Sequence, residues 1–172
     1  MEIKTERLVL KPVNMEYLHS THAYASDLEN TRLMMFLPDE NEEETALHLA
    51  EAEAQWRMDK PERYEFAIFL EEKHIGGVTL YMMEDRTVAE LGWVLHRDYW
   101  RHGYVTEAAL ALMDFARSIG VKRVIACCDS ENVASYKLME KLGMKLVKGD
   151  GVRTNRSMGD EQRVEWTYAI DL

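Results

Sequence analysis

The sequence predicts an α/β (α+β) fold, with a mixed, mostly antiparallel central sheet flanked by helices, in a single domain spanning residues 1–172. Three observations carry this. From Tyr64 to His96 the apolar residues alternate in three short runs joined by short loops, the pattern of an antiparallel meander. An amphipathic helix then leads into the apolar run 121–128, and a strand reached by such a crossover lies parallel to the one before it. Finally, Val164, Trp166, Tyr168 and Ile170 alternate through a closing strand. The length suits one core of ordinary size.

Each element has a local reason. Residues 5–13, TERLVLKPV, alternate as an opening strand with Leu8 and Leu10 inward and Pro12 near its end. Asn14 can cap a helix over 15–27 with Leu18, His22, Ala25 and Leu28 along one side. His19 and His22 share roughly one face there, but no Cys or carboxylate cluster completes a metal site, and no metal is implied. Residues 31–38, TRLMMFLP, form an apolar patch ended by Pro, either plain core or a short helix lining an acceptor pocket. Asn41 and Glu44 make a capping-box arrangement for a helix that stops before Pro61, with Leu47, Ala50, Ala54 and Met58 as its apolar stripe. Phe66, Ile68 and Leu70 mark the next strand, and Val78, Leu80 and Met82 the one after it. Gly76 and Gly77 there allow a bulge or a close approach. Residues 86–96 complete the meander. In the long helix Val105, Ala108, Ala109, Leu112, Met113 and Ala116 fall on one face. After the strand 121–128, Ser130 or Asn132 caps a short helix in which Ser135, Leu138, Met139 and Leu142 share a face, and Gly143 ends it. Residues 144–148 read as a short strand and 149–162 as a mobile polar loop.

Composition narrows the function classes. Hydrophobic residues make up 47% and charged residues 30%, as in a soluble globular protein, and no apolar run is long enough to span a membrane. The first residues lack the apolar core of a signal peptide, so a cytoplasmic location is expected. Cys127 and Cys128 are neighbours on a strand, pointing to opposite faces, and read as packing residues in a reducing compartment. A net charge of −10 argues against nucleic acid or an anionic membrane as partner and is mildly congenial to a cationic amine.

The stretch that organises the chain is 95–116, where a strand ends, a polar turn holds Arg101, His102 and Gly103, and the long helix begins. Backbone N–H groups at a helix start have no intrahelical partners and sit at the positive pole of the helix dipole, so a phosphate can settle there, and Gly103 lets the backbone come close. The segment YWRHGYVTEA resembles the pyrophosphate-binding turn, Gln/Arg-x-x-Gly-x-Gly/Ala, of the GNAT superfamily of N-acetyltransferases. It is most similar to the branch containing the ribosomal-protein N-terminal acetylating enzymes (RimJ/RimL-like). Trp100 stands where Gln or Arg is usual, Gly103 matches, and Val105 replaces the last Gly or Ala while keeping its N–H. NVASYKLMEKLGM, over residues 132–144, resembles the Asn-x-x-Ser/Ala helix and following turn of the same superfamily, and TERLVLKPV resembles the opening of that branch. The similarity therefore spans essentially the whole chain.

This resemblance implies acetyl-CoA (coenzyme A) as cofactor and acetyl transfer to a primary amine by direct attack in a ternary complex. The acceptor is open between a protein N-terminal amine and a small amine such as a polyamine or aminoglycoside. It implies that Arg101, His102, Gly103, Tyr104, Val105 and Thr106 hold the pyrophosphate. The strand around Trp93, Val94 and Leu95 would splay from its neighbour to bind the pantetheine arm. The amine must lose a proton before it attacks. Glu90, in the apolar strand VAELGWVL, is the candidate base, since partial burial raises a carboxyl's pKa; the alternative is a structural carboxylate paired with Arg or Lys. The family's usual Tyr acid is replaced by Met139, which cannot donate a proton. Ser135 matches the Ser assigned this work in the ribosomal branch, with Tyr136 as a substitute, while Asn132 serves as helix cap, cofactor contact or both. A non-catalytic acyl-CoA-binding or sensor domain is the competing reading. A homodimer is also open, because residues 33–37 could face a partner subunit.

Overall fold

The computed structural model describes residues 1–83 and 85–172. Eight strands form one sheet: β1 (Ile3–Lys4), β2 (Leu8–Pro12), β3 (Arg63–Leu70), β4 (Lys73–Met82), β5 (Val88–Leu95), β6 (Arg123–Asp129), β7 (Lys145–Arg153) and β8 (Arg163–Asp171), in the spatial order β1-β2-β3-β4-β5-β6-β8-β7. The expected meander is β3-β4-β5. The β5–β6 pair is parallel and every other pair antiparallel; the parallel pair is joined by a crossover through the long helix α4 (Tyr104–Ser118). The anticipated irregularity at the glycines is a bulge: Ile68 faces Gly76 but Phe69 faces His74, leaving Ile75 as the extra residue. Gly76 is required there, since a Cβ on it would lie 2.4 Å from Val94 O.

Helices cover both faces. Against one lie α4 and α5 (Val133–Lys141). Ala108, Ala109, Leu112 and Ala116 are fully buried beside Phe66, Ile68, Val78, Leu80 and Leu91. The alternate residues of the same strands face α1 (Leu18–Ala25), α2 (Leu28–Thr31) and α3 (Glu42–Gln55), where Val13, Leu49, Ala52, Ala67 and Phe69 make a smaller core.

Three local expectations need correction, all on this second face and the edge strand. The helix expected over 15–27 is a 3-10 turn, Met15–Tyr17, followed by α1. Asp27 then caps α2 by accepting from Glu29 N, and Leu28 is 67% exposed. In α3 the cap is as expected, with Asn41 Oδ1 accepting from Glu44 N at 3.0 Å. The buried stripe, however, is Thr45, Leu49 and Ala52, while Leu47 and Met58 are exposed, so the helix is rotated toward the sheet from the face its largest side chains suggested. Residues 149–153 continue β7 instead of opening a loop, and the turn beyond is anchored by fully buried Asn155. No helix among the described residues is long and apolar enough to cross a membrane.

Candidate active site

The parallel pair defines the site by where it stops. β5 and β6 are paired only at Val88–Arg123, Ala89–Val124 and Glu90–Ile125, yet β5 runs on to Leu95 and β6 to Asp129. Beyond Glu90 the two strands diverge, and one edge of β5 is left without a strand partner. Which groups that edge offers follows from alternation. His96 N–H donates to Ile75 O at 2.8 Å, so the even-numbered residues Glu90, Gly92 and Val94 turn their backbone groups toward β4, and the odd-numbered Leu91, Trp93 and Leu95 turn theirs toward the gap. Leu95 O is taken by the Trp100 indole N–H at 2.8 Å. Of the three residues expected to meet an extended arm, Trp93 therefore presents both backbone groups, Leu95 its N–H, and Val94 only its side chain.

The gap opens into a cleft of about 790 Å³ onto which the N-termini of α4 and α5 both face. At α4, Arg101 (φ 65°) and Gly103 (φ 80°) are left-handed and His102 between them is not. Such alternation gathers successive N–H groups on one side as an anion-binding concavity. Holding a non-glycine residue in that region costs roughly 1–2 kcal/mol, so the shape of this turn is enforced by its surroundings. Arg101, Gly103, Tyr104, Val105 and Thr106 line the cleft. His102 does not: its ring stacks on Tyr104 and its carbonyl accepts from Arg7 Nη1 at 3.0 Å.

At α5, Asn132 Oδ1 accepts from Ser135 N at 3.1 Å, so the cap residue is Asn132 and not Ser130. Asn132 and Ser135 line the cleft. Tyr136 does not; it packs against Trp166 and lines a separate hollow of about 490 Å³. Met139, at the position of the absent tyrosine, is fully buried in the core. The turn before the cap is held by Asp129, fully buried, which accepts from Glu131 N at 2.9 Å, Asn155 Nδ2 at 2.7 Å and Arg163 Nε at 2.9 Å. Burial alone would raise this carboxyl, but Arg163 and the other donors hold it below its ordinary value. The start of α5 is thus fixed by β7, β8 and the turn between them.

Glu90 lies at the vertex of the fork on the α1–α3 face, and it is not among the residues lining the cleft. Burial raises its pKa, with Glu165 adding to the rise and a Cys127 hydrogen bond and Arg153 opposing it. Cys127 shares this face and is more than packing: it meets Glu90 and Thr167, and burial pushes its thiol up to about 11, so it stays protonated at neutral pH. Tyr81, opposite Glu90 on β4, leans over Gly92, where an added Cβ would lie 3.3 Å from its ring. The patch 31–38 is divided between the two expectations. Leu33 and Met34 line the cleft while Phe36 is 77% exposed, and neither a continuing helix nor plain core describes it.

Two residues that the sequence did not single out brace the turn from outside the cleft. Glu107, in the first turn of α4, and Arg7, before β2, form an ion pair at 2.7 Å. They stand 100 residues apart in the chain, so no local pattern could have joined them. No group of three or more His, Cys, Asp or Glu among the described residues is placed to hold a metal ion.

The site suits a ligand with a pyrophosphate at one end and an extended polar arm at the other. The concave turn faces the first, and the unpaired edge of β5 can ladder with the second. The chain is 28% identical to an uncharacterized N-acetyltransferase, YnaD, of Bacillus subtilis over 99% of its own length and 96% of that protein's. Its fold matches the crystal structure of a GNAT-family acetyltransferase from Bacillus anthracis, with TM-score 0.85, 27% identity, and 99% and 98% of the two chains covered. It also matches RimL, a ribosomal L7/L12 α-N-protein acetyltransferase solved with coenzyme A, at TM-score 0.82 but only 18% identity, over 100% and 98% of the two chains. The pattern of the acetyltransferase (GNAT) domain covers residues 7–145, and the chain accordingly belongs to the GNAT family of acetyltransferases.

Proposed function

We propose that the protein binds acetyl-CoA in the cleft between β5 and β6 and acetylates a primary amine by direct attack in a ternary complex. Acetyl-CoA supplies the activated thioester; the chain supplies position, donors and proton transfer. The observation that carries this reading is the fork, which leaves the backbone of Trp93 without a strand partner and has a half-buried carboxylate, Glu90, at its vertex.

The N–H groups from Arg101 to Thr106 bind the pyrophosphate through the turn and the helix dipole. The backbone of Trp93, with Leu95 N–H, pairs with the pantetheine arm and directs its acetyl end toward the vertex of the fork. Glu90 lies about 10 Å further along the strand from Trp93 at ~3.3 Å per residue. It accepts the proton of the incoming ammonium, directly or through one water, and its raised pKa brings it closer to the proton affinity a base needs near neutrality. Ser135, on the cleft wall with its N–H held by Asn132, passes a proton to the departing thiolate and regains one from the acylated nitrogen as the tetrahedral adduct collapses to the amide.

The acceptor is the terminal amine of a protein or a small cationic amine. Glu90 beside Glu165, together with the net charge of −10, favours a cation at the acceptor end. The test is thiol release from acetyl-CoA with and without a panel of N-terminal peptides, polyamines and aminoglycosides. Amine-dependent release is expected, and the amine that elicits it names the acceptor class. A stabilising thermal shift with coenzyme A but no release with any amine would count against the transfer.

A further inference from the structure

A carboxylate in the first turn of an anion-binding helix is an electrostatic liability, because its charge repels the phosphate that the helix dipole attracts. Glu107 occupies that position, and both of its carboxylate oxygens are engaged. Oε1 accepts from Thr5 Oγ1 at 2.6 Å and Arg7 N at 2.8 Å, and Oε2 accepts from Arg7 Nε at 2.7 Å. The other arm of the guanidinium donates to His102 O at 3.0 Å, and its plane lies 4.6 Å over the Tyr104 ring, itself stacked on His102. A single side chain therefore joins the helix's first turn, the carbonyl in the middle of the concave turn, and the segment between β1 and β2.

From this geometry we infer that Arg7 and Glu107 are positioning residues, a latch that holds the turn 101–103 in its pyrophosphate-binding shape. The inference rests on the reading of the cleft as an acetyl-CoA site. The latch draws His102 O outward to Arg7, away from the cleft, so that only N–H groups face the phosphates. It restrains Arg101 in its left-handed conformation, and it cancels the charge of Glu107 where an anion must approach. An arginine is needed because a lysine's single nitrogen cannot reach Glu107 and His102 in the same fork.

Charge and shape make opposite predictions for Glu107→Gln. Removing a negative charge beside a phosphate site should tighten coenzyme A binding if charge alone matters. The latch requires instead that coenzyme A bind about tenfold more weakly, and that KM for acetyl-CoA rise to match, with kcat nearly unchanged. S-acetylpantetheine, which lacks the pyrophosphate, should react equally well with both proteins. Arg7→Lys keeps the charge and should behave like Glu107→Gln; it carries the test if that variant does not fold. Equal or tighter coenzyme A binding by the variants overturns the latch alone. A parallel loss with S-acetylpantetheine or in kcat reduces the pair to a structural role and also overturns it. Failure of the unaltered protein to bind coenzyme A removes the reading of the cleft, and the latch with it.

Discussion

On the α4 face of the sheet Phe66, Ile68, Val78, Leu80 and Leu91 are no more than 2% exposed, whereas the intervening residues on the other face include Glu65, Thr79, Tyr81 and Glu90. The same strands thus carry an apolar face and a polar one, and the site uses them differently. The apolar face holds α4 rigidly enough that backbone N–H groups can bind a ligand by position alone. The polar face supplies side chains whose chemistry depends on burial, as the raised pKa of Glu90 does. On the proposed function, cofactor binding built from backbone would tolerate side-chain variation, so Trp100 and Val105 could replace more usual residues. Chemistry built from one carboxylate has no such tolerance.

Variants on the two faces should therefore fail in different ways. The largest effect is expected from Glu90→Gln, with kcat lower by roughly 10²–10⁴-fold and coenzyme A affinity unchanged. In the unaltered protein kcat should rise with pH as Glu90 loses its proton, the midpoint lying above the usual carboxylate range because burial disfavours the charged form. That limb should vanish in the variant. Its folding stability at neutral pH should hold or increase, since a group whose pKa is raised on folding disfavours the native state once ionised. A variant that loses stability and keeps its rate would place Glu90 among structural carboxylates.

Leu112→Ala should show the converse, costing about 2–5 kcal/mol in urea denaturation because Leu112 is fully buried against the sheet. Leu110→Ala, at a side chain 48% exposed, is its control, and equal losses would contradict the packing described. Gly103→Ala tests the turn between the faces. Its φ of 80° is costly for a residue with a Cβ, though the nearest atom to that Cβ would be Arg7 Nη2 at 3.6 Å, so strain and not collision is the effect. Coenzyme A should bind roughly five- to thirtyfold more weakly by calorimetry, for a strain of ~1–2 kcal/mol. The smallest change belongs to Asn132→Ala, about 1 kcal/mol in thermal unfolding from loss of the cap, with a modest fall in kcat because Ser135 is held less firmly. A larger fall in coenzyme A affinity than in kcat would make Asn132 a cofactor contact before a cap.

The sequence by itself determined whatever rests on short-range regularity. The buried face of α4, the meander β3-β4-β5, the cap at Asn41, the glycine in the turn before α4 and the order of motifs along the chain all follow from neighbours within a few residues, whereas the choice of Asn132 over Ser130 as the cap of α5 came from the structure. Tertiary structure decided the rest, because each remaining feature depends on surfaces remote in sequence. Leu47 and Leu49 are equally apolar, and only the position of β3 selects Leu49 for the core of α3. The continuation of β7 through a glycine-bearing stretch depends on its pairing with β8, which outweighs weak local strand preference. The end of the β5–β6 ladder at Glu90 and Ile125 has no signal in either strand, yet it creates the cleft. The Arg7–Glu107 latch spans 100 residues and exists only once β2 and α4 have packed together. Local periodicity can state which residues are buried; which of them meet is fixed by the free energy of the whole chain, and the chemistry resides in those meetings.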